Sequence, residues 1–396
     1  MSFTVLGLTG HWYGLVVGFS ALCYLGAAGL LGYRRRLPAG AIRLFGLMGI
    51  PLALLFSRLL FCAANFAYYT ETISQPWRML AFWDGGYSLL GALCGLLVAA
   101  WLAARACGVR FGVLADVTAV PLGVLVLGIR LAESLTGGAL GVGRQVEVGG
   151  TLLTTLPWLF LPDRLGTLTL YRLAVYRYEA AAALLILSFS LGLFFGRHPR
   201  WKPRPGDVAM IVFSLFGASQ VLLESLRDDG HMILGFIRAQ QVGYALIPLV
   251  ALAVFFARYA HIREARNTVV TAWVLLPVAG LVALLMIHPL NHVLDLTGKR
   301  PVGLAVLLAL AVYFGFFLRL RGANQRLILT WLTALTAIGV CVMVEFSVDG
   351  SANLVRDYAL MGLCCLVLFL APFTLWRELR KRVYREESLA VHLGRP

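Results

Sequence analysis

Charge is what this 396-residue chain has least of. Only 13% of its residues are Asp, Glu, Lys or Arg, 60% are hydrophobic, and the mean hydropathy is +0.82. A soluble domain carries about a quarter charged residues, so the composition excludes water as the main solvent. In lipid every backbone polar group must be satisfied internally, which leaves helices or closed barrels. The short alternating pattern of a barrel strand is also missing. The apolar runs are long and uninterrupted, and they predict an all-α, polytopic transmembrane helical bundle. Metal-binding patterns are absent as well. There is no CxxC and no Cys/His spacing, and the seven cysteines (Cys23, Cys62, Cys94, Cys107, Cys341, Cys364 and Cys365) mostly fall inside apolar runs as small packing residues. No metal or cofactor is expected. Met1 to Gly10 lacks the basic start of a cleavable signal peptide, so the first helix is expected to be retained.

The charge that is present is one-sided, with 34 Lys and Arg against 19 Asp and Glu, a formal net charge of +15. Its distribution argues against a nucleic-acid partner. Spans of roughly 20 apolar residues give about eleven helices, at 12–33, 41–66, 86–107, 114–135, 178–196, 208–226, 241–258, 269–288, 301–319, 327–346 and 358–376. Basic residues follow every second one: Arg34-Arg35-Arg36, then Arg105 and Arg110, then the groups around Lys202, Arg263, Arg321 and Arg380. By the positive-inside rule these loops are cytoplasmic, which puts the N-terminus outside and the C-terminus inside.

On the opposite side, residues 136–177 form the longest loop, rich in glycine, and loops of that length are usually functional or disordered. A second loop, 227–239, carries Arg227, Asp228, Asp229, His231 and Arg238. Ionisable groups inside the spans occur at Arg58, Arg130, Glu133 and Glu224, all before residue 266, and the later spans are nearly free of them. Residues 1–266 therefore read as the working part and 267–396 as a four-helix membrane appendage with a basic cytoplasmic tail.

Intramembrane charges are costly and mark functional sites. Arg130 and Glu133, like Glu224 and Arg227, are three residues apart and share one face of a helix. The topology puts Tyr13, Arg58, Arg130, Glu133, Glu179, Glu224 and Arg227 at one depth, in the outer leaflet. That placement predicts a polar site open to lipid and to the extracytoplasmic space. Plainer readings stand beside it: Arg58 and Arg130 snorkelling to headgroups, the glutamates neutralising arginines as structural pairs, Asp116 as a helix cap, Glu179 and Asp207 complementing helix N-termini, and His11 and Tyr13 as interfacial anchors.

The motifs around these residues resemble the bacterial prolipoprotein diacylglyceryl transferases. His11-Trp12-Tyr13-Gly14-Leu15 opens the first helix as in that family, and Ser57-Arg58-Leu59 is similar to its Ala-Arg-Leu. The run from Gly85-Gly86-Tyr87-Ser88 to Gly95 looks like its glycine-rich motif. Asp116, Pro121 and Gly128-Ile129-Arg130-Leu131 resemble its Asp, Pro and Gly-Arg-Ile signature. Tyr178-Glu179, Glu224-Ser225-Leu226-Arg227 and Gln241 (or Gln240) match later landmarks. The likeness covers about residues 11–258, in order. Four positions depart from it: Leu90 stands for the motif His, Glu133 for an Asn, Gly138 for an acidic residue and Gln220 for an Arg.

The resemblance implies a plasma-membrane enzyme. Such an enzyme moves diacylglycerol from phosphatidylglycerol to the lipobox cysteine thiol at a prolipoprotein signal peptide, with glycerol-1-phosphate leaving. The lipid bilayer is then both solvent and substrate source. A leaving phosphate gathers negative charge and calls for guanidinium groups, and the attacking thiol needs a base or a positive field to reach the thiolate. By that resemblance Arg58, Arg130, Arg227, Tyr13, Glu179 and Gln241 bind the headgroup, and Glu224, Glu133 and Arg130 carry the chemistry. His231 is a second candidate base in place of the missing histidine. The rival readings are a non-catalytic relative that binds phospholipid or lipopeptide, transfer to another nucleophile, and a transporter. A transporter would place its site near the midplane on repeated, broken helices, and no such repeat is evident.

Overall fold

The computed structural model describes residues 2–5 and 8–259, except 73–74, 83–84, 137–139, 147–156, 166–167, 197–201, 229–232 and 235–236, together with single positions between 334 and 345 and the helix 354–392. The predicted spans 269–288 and 301–319, most of 327–346, and His231 lie outside the described residues.

The chain is an all-α, multi-spanning membrane bundle. It runs α1 (Trp12–Arg34), α2 (Ala39–Ala64), α3 (Leu89–Ala106), α4 (Phe111–Ala119), α5 (Leu122–Glu133), α6 (Val175–Phe195), α7 (Asp207–Leu226), α8 (Ala239–Tyr259) and α9 (Leu354–His392). Among the described residues, seven stretches are long and apolar enough to cross a membrane, with α4 and α5 together forming one of them. The spanning stretches are largely apolar all round, as lipid-facing helices are. Phe19, Leu22 and Leu30 of α1 and Leu47 and Leu54 of α2 are exposed.

The fourth span is predicted as one helix over 114–135, but it is two helices broken at Val120-Pro121. Proline has no N–H to donate and its ring clashes with the preceding turn. Two carbonyls at the break find donors on neighbouring helices: the Tyr24 hydroxyl donates to Thr118 O at 3.1 Å and the Ser190 hydroxyl to Val120 O at 3.2 Å. Such side-chain repair is what makes a broken helix tolerable in lipid.

Helices α2 and α3 pack backbone to backbone. A Cβ added at Gly91 would overlap the carbonyl oxygen of Phe56, and one at Gly95 that of Leu52. This small-xxx-small spacing permits van der Waals contact at a separation that larger residues forbid. The same pair is linked by Ser57 Oγ donating to Ser88 O at 2.7 Å and Ser88 N donating to Ser57 O at 3.2 Å.

Asp116, read from the sequence as a cap on its own helix, caps a different one. Its Oδ2 accepts from Gly206 N and its Oδ1 from Ala209 N, each at 2.8 Å, at the start of α7. At the same end of the bundle Arg35 donates from Nη2 to Phe194 O at 3.3 Å and lies 4.3 Å from the Phe194 ring centre, closing the C-terminus of α6.

The connections at the other end hold short strands that the sequence reading does not predict. Strands β1 (Ser2–Val5) and β2 (Leu8–His11) form a hairpin before α1. Between α5 and α6, β3 (Gln145–Val146), β4 (Phe160–Leu165) and β5 (Leu168–Leu173) make an antiparallel sheet ordered β3-β5-β4. After α7, β6 (Ile233–Leu234) pairs with β7 (Ile237–Arg238).

Contacts group the chain into two compact units. The first comprises Met1–Arg197, Pro203–Phe216 and Leu223–Tyr244, and the second His198–Lys202, Gly217–Leu222 and Ala245–Pro396. In the second unit, α9 runs 39 residues and keeps Met361, Leu368, Leu375, Trp376 and Leu379 buried.

Candidate functional site

Helix α5 ends in Arg130-Leu131-Ala132-Glu133, whose i, i+3 spacing turns both charged side chains to one face. Arg130 Nη1 donates to Glu133 Oε1 at 2.6 Å. Glu179 comes from the beginning of α6, which runs back alongside α5, and its Oε2 lies 2.9 Å from Arg130 Nε. That contact is an ion pair by separation, with the N–H pointing off the line to the oxygen. Arg227, just past the end of α7, reaches both carboxylates, with Nη1 3.3 Å from Glu179 Oε2 and Nη2 3.8 Å from Glu133 Oε1.

The result is a closed ring of alternating charge, Arg130–Glu133–Arg227–Glu179, drawn from three helices. Glu179 is fully buried, Arg130 and Glu133 are 4% exposed and Arg227 is 9% exposed. Charges this far from water persist only when paired, because desolvating one ion costs several kcal/mol. Both arginines converge on the same two oxygens, Glu133 Oε1 and Glu179 Oε2. The other two, Glu133 Oε2 and Glu179 Oε1, have no hydrogen-bond partner among the described residues.

Several groups surround the ring. Glu224, buried in the last turn of α7, is close enough to act electrostatically on Arg130 and Glu179. Tyr13, half-buried at the start of α1, feels Glu133, Arg130 and Arg227. Tyr244 of α8 is fully buried within the field of Glu224 and Arg130 and packs edge-on against Phe216, with ring centres 5.8 Å apart. Gln241 is held one layer out, where its Oε1 accepts from Arg238 N at 2.9 Å while Arg238 Nη2 donates to Arg227 O at 2.7 Å. That second bond fixes the backbone from which Arg227 projects.

A backbone strap at 141–144 crosses beside the ring, and the sequence reading missed it. Gly143 bridges to Arg227, and Gly143 N donates to Leu173 O at 2.8 Å. Val142 O accepts from Asp228 N at 3.0 Å and Gly141 O from Tyr176 N at 2.9 Å. Gly141 has φ +70°, and a Cβ there would overlap Glu133 Oε2. The only sequence signal was the glycine richness of the loop.

Of the residues singled out from the sequence, Arg130, Glu133, Glu179 and Arg227 are brought into direct contact, with Glu224 and Tyr13 beside them. Arg58 is engaged elsewhere. Its guanidinium donates to the carbonyls of Met79 at 3.1 Å, Arg78 at 2.8 Å, Gly85, and Gly86 at 3.3 Å, with the Tyr69 ring centre 5.7 Å away. It pins the segment between α2 and α3 that carries Gly85-Gly86-Tyr87-Ser88. Leu90 packs onto Gly243 of α8 and brings no ionisable group to that position.

Comparison with known proteins matches residues 1–258 to the family model for prolipoprotein diacylglyceryl transferase. The phosphatidylglycerol–prolipoprotein diacylglyceryl transferase of Pediococcus pentosaceus is 26% identical over 270 residues, which cover 67% of this chain and 91% of that protein. The protein of the same name from Geobacillus kaustophilus is 25% identical over 257 residues (64% and 90%), and that from Streptococcus equi subsp. zooepidemicus 26% over 263 (65% and 95%). The matched region contains the whole charged ring.

Proposed function

This chain belongs to the prolipoprotein diacylglyceryl transferase family, and from that membership we propose that it moves the diacylglyceryl group of phosphatidylglycerol to the lipobox cysteine of prolipoproteins. It is a multi-pass protein of the bacterial plasma membrane, and the family carries a lipid-transfer, lipoprotein-modifying function. In the proposed reaction the cysteine sulfur attacks the diacylglyceryl carbon bonded to the phosphate oxygen. A C–S bond forms, the C–O bond breaks, and glycerol-1-phosphate leaves with the bonding pair while the thiol proton passes to a base.

The observation that carries this reading is the convergence of Arg130 and Arg227, from different helices, on one buried cluster at a single end of a membrane bundle. Each guanidinium carries a fixed positive charge and a planar fork of N–H donors, the chemistry that a leaving phosphate calls for. Glu133 and Glu179 hold the arginines in place, Tyr13 hydrogen-bonds the headgroup, and Gln241 acts through Arg238 on the Arg227 backbone. Glu133 or Glu224 takes the thiol proton. The proposed topology has about eleven helices, the N-terminus outside and the ring at the outer leaflet. Residues 1–266 form the transferase-like core and 267–396 the appendage.

The test is complementation of cells depleted of their own transferase, scored by lipidation of a reporter prolipoprotein. Restoration by the wild-type chain and its loss in Arg130→Ala is the expected result. A well-expressed chain that restores nothing would favour a relative that binds phospholipid or lipopeptide without transferring it, the reading that the apolar contact of Leu90 supports.

A further inference from the structure

Helix α9 carries its apolar stretch over Tyr358–Lys381 and then turns basic. From 377 to 385 the sequence sets Arg377, Arg380, Lys381, Arg382 and Arg385 against Glu378 alone. Basic residues at the end of a span need no special explanation while their side chains reach the headgroups. Arg380 does not follow that pattern. It lies on the buried face of α9, one turn after Trp376 and beside Leu379, and is only 6% exposed. Its Nε and Nη1 are shut off from solvent without a hydrogen-bond partner, and no carboxylate pairs with it among the described residues.

A guanidinium stays protonated in proteins, so Arg380 has no escape by losing its charge. An ion held out of water without a counter-ion is strongly destabilising. In the first unit Arg130 and Arg227 meet that cost with carboxylates. What pairs with Arg380 must be an anion with acceptor oxygens, and its depth names the class. Arg380 stands in the last turn of the spanning stretch, where hydrocarbon gives way to the headgroup layer that holds lipid phosphates. A phosphate matches the planar guanidinium fork. Arg377 and Lys381, within one turn, add positive charge that repels the ammonium of a zwitterionic headgroup and favours a lipid of net negative charge.

We infer that Arg380 anchors a binding site for the phosphate of an anionic phospholipid at the basic end of α9. The site belongs to the second unit and lies outside the residues that match the transferase family. It gives the appendage a lipid-binding role that does not depend on the transfer reaction.

The experiment follows thermal unfolding of the full chain in a neutral detergent with dioleoyl phosphatidic acid, dioleoyl phosphatidylcholine or inorganic phosphate added. Phosphatidic acid is expected to raise the wild-type midpoint by about 3 °C or more, because a ligand that binds only the folded state stabilises it. Phosphatidylcholine and inorganic phosphate should each do less. The charged ring can also respond to phosphatidic acid, so the quantity read is the part of the rise that Arg380 controls. Arg380→Met is expected to lose that part, and native mass spectrometry should find one fewer phosphatidic acid retained. In lipid-free detergent the same variant should unfold at or above the wild-type midpoint, since it removes an unpaired buried charge. Arg380→Lys keeps the charge without the fork and should fall between wild type and Arg380→Met. An undiminished rise in folded Arg380→Met would overturn the inference, as would an equal rise with phosphatidylcholine. Equal stabilisation by inorganic phosphate would overturn the lipid as the source of the phosphate. A clear loss of lipid-free stability in Arg380→Met would mean that the protein itself satisfies Arg380, and would sink the site.

Discussion

Asp116 Oδ1 accepts the backbone N–H of Ala209 across 93 residues of sequence, so a carboxylate of α4 caps the start of α7. Glu224 and Arg227 sit at the far end of α7, and the cap helps fix where that end falls. Asp116→Ala leaves two buried donors without an acceptor and is expected to cost about 2 kcal/mol. Thermal unfolding in detergent should show a lowered midpoint. An unchanged midpoint would remove the cap from the account.

The ring should behave as one unit. Glu179→Ala takes one carboxylate contact from two guanidiniums at once and leaves both to Glu133, and removing one partner of a buried pair costs about 3–5 kcal/mol. A double-mutant cycle of Glu179→Ala with Arg227→Ala should show coupling of about 1 kcal/mol or more, since residues in one ion-pair network are not additive. Simple additivity would mean that the contact is incidental.

Gly141→Ala brings a Cβ against Glu133 Oε2 and forces an L side chain into φ +70°. The strain alone is about 1–3 kcal/mol. Lower stability and reduced reporter lipidation are both expected, whereas Gly192→Ala, in open space on α6, should change neither.

Arg58 separates a structural role from a substrate role. Its forked donors hold four carbonyls between α2 and α3, and a lysine cannot reproduce that fork. Arg58→Lys is expected to increase proteolysis near residues 78–86 and lower the unfolding midpoint. Weaker lipid retention at full stability would instead return Arg58 to the headgroup.

Much of this was legible in the sequence because hydropathy and charge placement are one-dimensional signals. The apolar runs gave helices, and the position of each charge along its run brought Arg130, Glu133, Glu179 and Arg227 to a common depth. What the sequence left hidden depends on partners distant in the chain. Nothing near Asp116 reveals that its acceptor oxygens serve α7, and nothing near Arg58 says that its donors are used by carbonyls some twenty-odd residues ahead. Pro121 was visible, but whether it kinks or breaks a helix depends on what neighbours such as Tyr24 and Ser190 can repair. The strands escaped because β4 and β5 are runs of only six residues each, too weak a signal beside the long spans.

The ring also has an order of assembly. A membrane chain enters the bilayer as it is synthesised, and Arg130 enters with Glu133 already one turn away, so the first charges of the ring arrive as a neutral couple. Glu179 follows with the next helix and carries an excess negative charge until α7 delivers Arg227. The polar centre is therefore incomplete through most of translation and closes only when α7 arrives. A chain truncated before α7 would hold an unbalanced carboxylate in the membrane, a ready mark for quality control.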